Sequence, residues 1–174
     1  MKVIIETARL RLREFVSADA DALARILMDR ETMRFYPAAF ERRDVEEWIA
    51  RNLRRYVMNG SGLWAVDLKA TGEMIGDCGI TLQEVDGEWL PEIGYHMRRD
   101  QWGLGYATEA ARACRDYGFV HMKAAFLISL ILPGNLASRR VAERNGMTIW
   151  KQALHGGLLH DVHRVQHEEW AQNS

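Results

Sequence analysis

The stretch Trp102-Gly103-Leu104-Gly105-Tyr106-Ala107-Thr108-Glu109-Ala110 joins a strand-like segment to a helical one. Two glycines let the backbone turn tightly and approach a ligand without side-chain obstruction. The unpaired amides of the helix start, with the helix dipole, suit a phosphate. The stretch lacks the third glycine of a dinucleotide fingerprint, and no Gly-Lys-Ser/Thr follows, so it is not a Walker loop. A tight packing turn that binds nothing remains the alternative on these residues alone. Before the stretch, Trp89–Met97 reads as a strand. After it, Ala107, Ala110, Ala111, Cys114 and Gly118 make a small-residue stripe that lets a helix lie close to a sheet. Ala124–Leu132 then reads as a strand buried on both faces. Strand, helix and strand in that order imply a crossover and a local parallel pairing.

Working outward, Arg9-Leu10-Arg11-Leu12-Arg13 alternates as a strand with one wet face. Ser17 offers a helix cap, with Asp19 and Asp21 in the first turn. Asp44 and Glu47 form a capping-box pair for a second helix ending near Met58. Between the two helices the loop Glu31 to Phe40 is rich in large side chains, Met33, Phe35, Tyr36 and Phe40, and the aromatics of Met33-Arg34-Phe35-Tyr36-Pro37 either wall a pocket or pack on the sheet. Leu63–Leu68 and Met74–Leu82 are hairpin-linked strands leading into Trp89–Met97. A fourth helix is predicted over Leu136–Arg144, and closing strands around Met147–Leu154 and Asp161–Glu168. The order β-α-α-β-β-β-α-β-α-β-β predicts one α/β domain over residues 1–174, with helices on both faces of a mixed sheet.

The chain has 174 residues, 23 Lys+Arg against 24 Asp+Glu, and a net charge of −1, which excludes a generally basic nucleic-acid binder. Cys78 and Cys114 are too few for a disulfide scaffold and read as reduced core residues. The N-terminus lacks the apolar run of about 7–15 residues that a signal peptide needs. No run approaches the roughly 20 residues of a membrane span. These features predict a cytoplasmic protein without nucleic-acid or membrane partners, as a monomer or homodimer.

A second segment, Asn135-Leu136-Ala137-Ser138 followed by Glu143 to Gly146-Met147, can be read as a capped helix alone. Taken with Gly103-Leu104-Gly105-Tyr106-Ala107-Thr108-Glu109-Ala110, it resembles the GNAT acetyltransferases, with the RimJ/RimL-like branch as nearest match. The resemblance extends to Thr7–Arg13, to Glu92-Ile93-Gly94-Tyr95 and to the closing Glu168-Glu169-Trp170. It implies a GNAT fold, mostly antiparallel, splayed between the fourth and fifth strands, here Trp89–Met97 and Ala124–Leu132. It implies acetyl-CoA in that opening. Its pantetheine would pair near Met97, its pyrophosphate would sit on amides from Gly103 to Thr108, and Asn135 and Ser138 would line the thiol path. Trp102 stands where many members carry Gln or Arg, so the amides must do most of the phosphate work. Ala142 stands where many members place the Tyr that serves the leaving thiol, and Ser138 is the substitute within the motif.

Acyl transfer to an amine requires a neutral nucleophile, an oxyanion donor and stabilisation of the thiolate. A backbone N–H near Met97 is the candidate oxyanion donor. A lysine-type amine, with a pKa of about 10.4, demands more of a base than an α-amine at about 7.7–8.0. Glu92 and His96 share one strand face and are the candidate bases, with His155 a third. Each also has a plain reading, a solvated carboxylate and a packed imidazole. The histidines His155, His160, His163 and His167 match no zinc spacing, so no metal is predicted. Arg51, Arg54 and Arg55 read as a solvated helix face. The predicted function is acetyl-CoA-dependent acetylation of a primary amine, a protein N-terminal α-amine foremost. A small amine such as a polyamine or antibiotic, with Asp29, Glu31, Glu84, Asp86 and Glu88 as the acidic cluster, is the alternative. A non-catalytic CoA sensor is another, supported by Ala142.

Overall fold

The computed structural model describes residues 1–172. Eight strands form one sheet: β1 Val3–Glu6, β2 Leu10–Arg13, β3 Leu63–Leu68, β4 Met74–Val85, β5 Glu88–Met97, β6 Phe126–Ile131, β7 Thr148–His155 and β8 Leu158–Gln166. Their spatial order is β1-β2-β3-β4-β5-β6-β8-β7. Every neighbouring pair is antiparallel except β5 and β6. The helices are α1 Ala20–Leu27, α2 Arg42–Asn59, α3 Tyr106–Val120, α4 Leu136–Arg144 and α5 His167–Ala171. The expected splay therefore lies between β5 and β6, one place later in the count. The three apolar residues Val3, Ile4 and Ile5 are enough for an edge strand once β2 offers its ladder.

Each face of the sheet has its own core. On one side Leu10, Leu12, Val66, Ile75, Ile80 and Ile93 pack against Ala110, Ala111 and Cys114 of α3. On the other, Leu23, Ile26 and Leu27 of α1 and Val45 and Ile49 of α2 cover Leu63, Ala65 and Met74. Each Val, Leu, Ile or Met among them contributes about 1.5–3 kcal/mol by leaving water. The small stripe of α3 is a steric requirement. A Cβ on Gly118 would stand 2.8 Å from Leu127 Cδ1 and 3.0 Å from Ile80 Cδ1. Cys78 and Cys114 are buried free thiols whose sulfurs meet at 3.5 Å between β4 and α3.

Several local expectations change. Arg13 does not lie on a wet face. Its guanidinium is buried, and bonds Asp67 at 2.7 and 3.1 Å and Asp19 at 2.8 and 2.9 Å. Asp19 is thus an internal anion, which also accepts the Val16 N–H at 2.8 Å. The α2 box sits three residues earlier than expected, with Asp44 accepting the Glu41 N–H at 2.8 Å. Residues Gly156 and Gly157, both left-handed, close the last hairpin. Glu168 belongs to α5 instead of the last strand.

Candidate active site

The sheet opens where β5 and β6 part. They share a single ladder position, Glu92 opposite Ile128. The Arg98 N–H donates to Ile75 across β4, so Met97, Tyr95 and Ile93 direct their backbone groups away from β4 and into the gap. The Ser129 hydroxyl occupies the Ile93 carbonyl at 2.9 Å. The Trp102 indole N–H occupies the Met97 carbonyl at 2.7 Å. The Met97 N–H and both Tyr95 groups are left facing the opening. Trp102 is tied to β5, so its one donor is already spent.

The loop after β5 has the backbone that its glycines predicted. Gly103 and Gly105 have φ of 77° and 83°. No hydrogen bond among the described residues uses the N–H of Gly103, Leu104, Gly105, Tyr106, Ala107 or Thr108. A run of free amides at a helix N-terminus fits the diphosphate of coenzyme A. Gly103, Gly105, Ala107 and Thr108 line the adjoining cavity, of about 830 Å³. The side chains of Leu104 and Tyr106 do not: Leu104 is exposed, and Tyr106 lies 4.4 Å under the Arg9 guanidinium. The N-terminal arm braces this loop. Glu109 accepts the Thr7 hydroxyl at 2.6 Å, the Arg9 N–H at 3.0 Å and Arg9 Nε at 2.6 Å, while Arg9 Nη1 donates to the Leu104 carbonyl at 3.0 Å. Burial alone would push the Glu109 carboxyl up, but these bonds outweigh it and hold the group below the usual carboxylate range.

The candidate bases lie on the α2 face of β5. Glu92 lines the cavity, and its Oε1 accepts the Leu130 N–H across the gap at 3.4 Å. Burial pushes its carboxyl above the ordinary range, against the pull of Gln83, Leu130 and the imidazoles of His155 and His96. His96 is locked in a chain. Asp77, 0% exposed, accepts His96 Nδ1–H at 2.8 Å, and in the neutral imidazole Nε2 is then the acceptor for the Tyr36 hydroxyl at 2.7 Å. Trp48 Nε1 donates to the other Asp77 oxygen at 2.9 Å. Both nitrogens of His96 are therefore engaged, and Tyr36, 40% exposed, is the open end of the chain. Although the residue is partly exposed, burial of its hydroxyl against His96, and then the Glu92 and Asp77 carboxylates, push that hydroxyl above its ordinary value. His155 lines the same cavity from the β7 side, with Nδ1 3.3 Å from the Glu84 carbonyl and its ring 5.8 Å from that of His160.

Asn135 caps α4, its Oδ1 taking the Ser138 N–H at 3.2 Å, and both residues line the cavity. Ala142 is buried in the core. A residue that sequence reading missed reaches the same helix: the Tyr95 hydroxyl donates to the Ser138 carbonyl at 3.0 Å. Asp77 was missed as well, although a carboxylate inside Ile75-Gly76-Asp77-Cys78-Gly79-Ile80 is an anomaly that sequence alone displays. The aromatic loop divides. Phe35 and Tyr36 line the cavity, whereas Met33 and Phe40 pack with α1 and α2. The arginines of α2 also divide. Arg54 is exposed and pairs with Glu47, but Arg51 and Arg55 are half-buried in the cavity wall. Among the described residues no three His, Cys, Asp or Glu side chains converge as a metal site.

A family model described as an acetyltransferase (GNAT) domain matches residues 9–148. An uncharacterized protein, YkkB of Bacillus subtilis (strain 168), is 42% identical over 147 residues, which is 84% of this chain and 86% of that protein. Two solved complexes with coenzyme A, each 18% identical, share the fold. One is an aminoglycoside acetyltransferase, with a TM-score of 0.79 over 94% of this chain and 98% of that one. The other is RimL, a ribosomal-protein alpha-N-acetyltransferase, with a TM-score of 0.73 over 94% and 96%.

Proposed function

The chain belongs to the GNAT acetyltransferases and is an acyltransferase; from that premise we propose that it acetylates a primary amine by direct attack on acetyl-CoA in a ternary complex. The observation that carries this reading is the open seam between β5 and β6, with free amides at one end and a half-buried carboxylate, Glu92, on its wall. Bound acetyl-CoA supplies the acetyl group as an activated thioester. The amides of Gly103 to Thr108 hold its diphosphate, and the Met97 N–H and Tyr95 backbone groups align its pantetheine beside Asn135 and Ser138. The Met97 N–H is also the donor to the developing oxyanion.

Glu92 receives the proton of the attacking amine through relaying water, since it lies five residues before Met97 on β5. Its raised basicity brings it nearer to the amine it must deprotonate. His96, held by Asp77, fixes the Tyr36 hydroxyl at the acceptor side. The Ser138 hydroxyl stabilises the leaving thiolate in place of the residue that Ala142 cannot supply. The acceptor is an α-amine of a protein N-terminus, as in the RimJ/RimL-like branch. That amine is appreciably neutral near pH 7, and the fold neighbour RimL carries such an activity in its name. The setting is cytoplasmic, in keeping with two buried free thiols. Release of free thiol from acetyl-CoA, measured with a panel of amines and peptides, tests this. Turnover that depends on a primary amine is the expected result. Binding of coenzyme A with no release on any acceptor identifies a sensor instead.

A further inference from the structure

Resting on the acetyltransferase reading, we propose that the acceptor amine carries a carboxylate, and that Arg51 and Arg55 of α2 bind it. Their four-residue spacing puts both on one helix face over the cavity, one turn beyond Trp48. The Arg51 guanidinium lies 4.7 Å over the Trp48 ring, which fixes its plane, and its Nε is buried with no hydrogen-bond partner. Arg55 is half-buried beside it. Burial, followed by the charge of Arg51, makes the Arg55 guanidinium less basic than usual, and only Glu92 opposes this. Neither arginine has an ion pair within 4.0 Å among the described residues, whereas Arg13, Arg34 and Arg98 all do. Two adjacent guanidiniums kept partly from water without an anion repel each other and lose hydration. A carboxylate removes both costs, since each guanidinium offers it a planar fork of donors.

The surrounding charges favour an anion. Glu31 also lines the cavity but is engaged by Arg34, so Glu92 is the carboxylate left to the acceptor side. The acidic residues that would hold a polyamine do not gather: Asp29 is bonded by Thr32, and Asp86 by Lys151. Of the two, Arg55 is the further from the phosphate loop, since Arg51 stacks on Trp48, whose ring is 5.6 Å from that of His96. Arg55 senses Glu92, which lies five residues before Met97, or roughly 17 Å along an extended strand. The carboxylate can come from the α-carboxyl of a free amino acid or from an acidic side chain next to a peptide N-terminus.

Matched acceptor pairs separate these sources: an amino acid against its amide, and an N-terminal Ser-Glu peptide amide against its Ser-Gln counterpart. The carboxylate member of at least one pair is expected to have kcat/KM about tenfold or more above its partner, mainly through KM. Arg55→Gln and Arg51→Gln, each verified as folded by circular dichroism, are expected to shrink that ratio towards unity. Turnover of both members at equal rates, or preference for spermidine, overturns the inference and leaves the acetyltransferase reading standing. No turnover with any amine overturns both. A tenfold weaker Kd for coenzyme A in Arg55→Gln places the pair on the cofactor and overturns the inference alone.

Discussion

Replacing Asp77 by Asn keeps the shape of the most deeply buried carboxylate and removes one acceptor. Its Oδ1 accepts both Nδ1–H and the backbone N–H of His96, at 2.8 and 3.1 Å, and its Oδ2 accepts the Trp48 indole at 2.9 Å. An asparagine has one oxygen for these three donors. With the oxygen towards His96, the new NH₂ faces the indole N–H. With the amide reversed, the NH₂ faces the His96 backbone N–H, and the imidazole must move its proton to Nε2. Either arrangement leaves a buried donor unsatisfied, at about 1–3 kcal/mol, and weakens a charge-assisted bond, for a total of about 2–4 kcal/mol. For a chain of this size that is a fall in Tm of roughly 4–16 °C. Thermal unfolding followed by circular dichroism reads it. Trp48→Phe supplies the internal control, because without the indole N–H the first arrangement loses its donor clash. In that background Asp77→Asn is expected to cost at least about 1 kcal/mol less, a coupling of the size contacting residues show. A Tm within 1 °C of the parent, or equal costs in both backgrounds, refutes the placement of Asp77.

Glu92→Gln is expected to lower kcat about 10²-fold in the thiol-release assay. The folded-state carboxyl is raised by burial, so its contribution to stability is present below the unfolded value and lost as pH rises through the folded one. The Gln variant should therefore melt higher than the parent at pH 7, with the difference shrinking in acid. Glu109 has the opposite sign. Its carboxyl is lowered in the fold, so its contribution is present above the ordinary carboxylate range and lost as pH falls through the lowered value. Glu109→Gln should melt lower at pH 7 and flatten the acid side of the Tm profile. Gly105→Glu adds a Cβ at a left-handed position, about 1–2 kcal/mol of strain, and a negative charge in the amide cradle. Calorimetry should show coenzyme A binding weakened at least tenfold.

Pattern and punctuation made most of the fold legible, because the alternation of β2 and the small stripe of α3 are consequences of burial against one sheet and turn residues delimit the buried runs of β3 and β4 and the half-buried β5. They failed at the edges. Val3–Glu6 has too few residues to announce a strand, and its pairing is supplied by β2. They also failed where a charge is buried. Arg13 alternates like a surface residue, yet two aspartates, 6 and 54 positions away, enclose it. The arginines of α2 divide for the same reason. Spacing puts Arg51 and Arg55 together, but only the β5–β6 seam opposite makes their face a cavity wall.

What the sequence determined by itself is local. Gly103 and Gly105 must be where a left-handed turn meets a helix start, and Asn135 must be where α4 needs a cap, because those demands fall on the residue and its immediate neighbours. What only the tertiary structure decided is which side chains meet. Asp77, His96 and Tyr36 form one hydrogen-bonded chain, and Tyr95 reaches α4. Those contacts join residues 19 to 60 positions apart, and they exist because the sheet register and the helices packed on it put the partners within hydrogen-bonding distance.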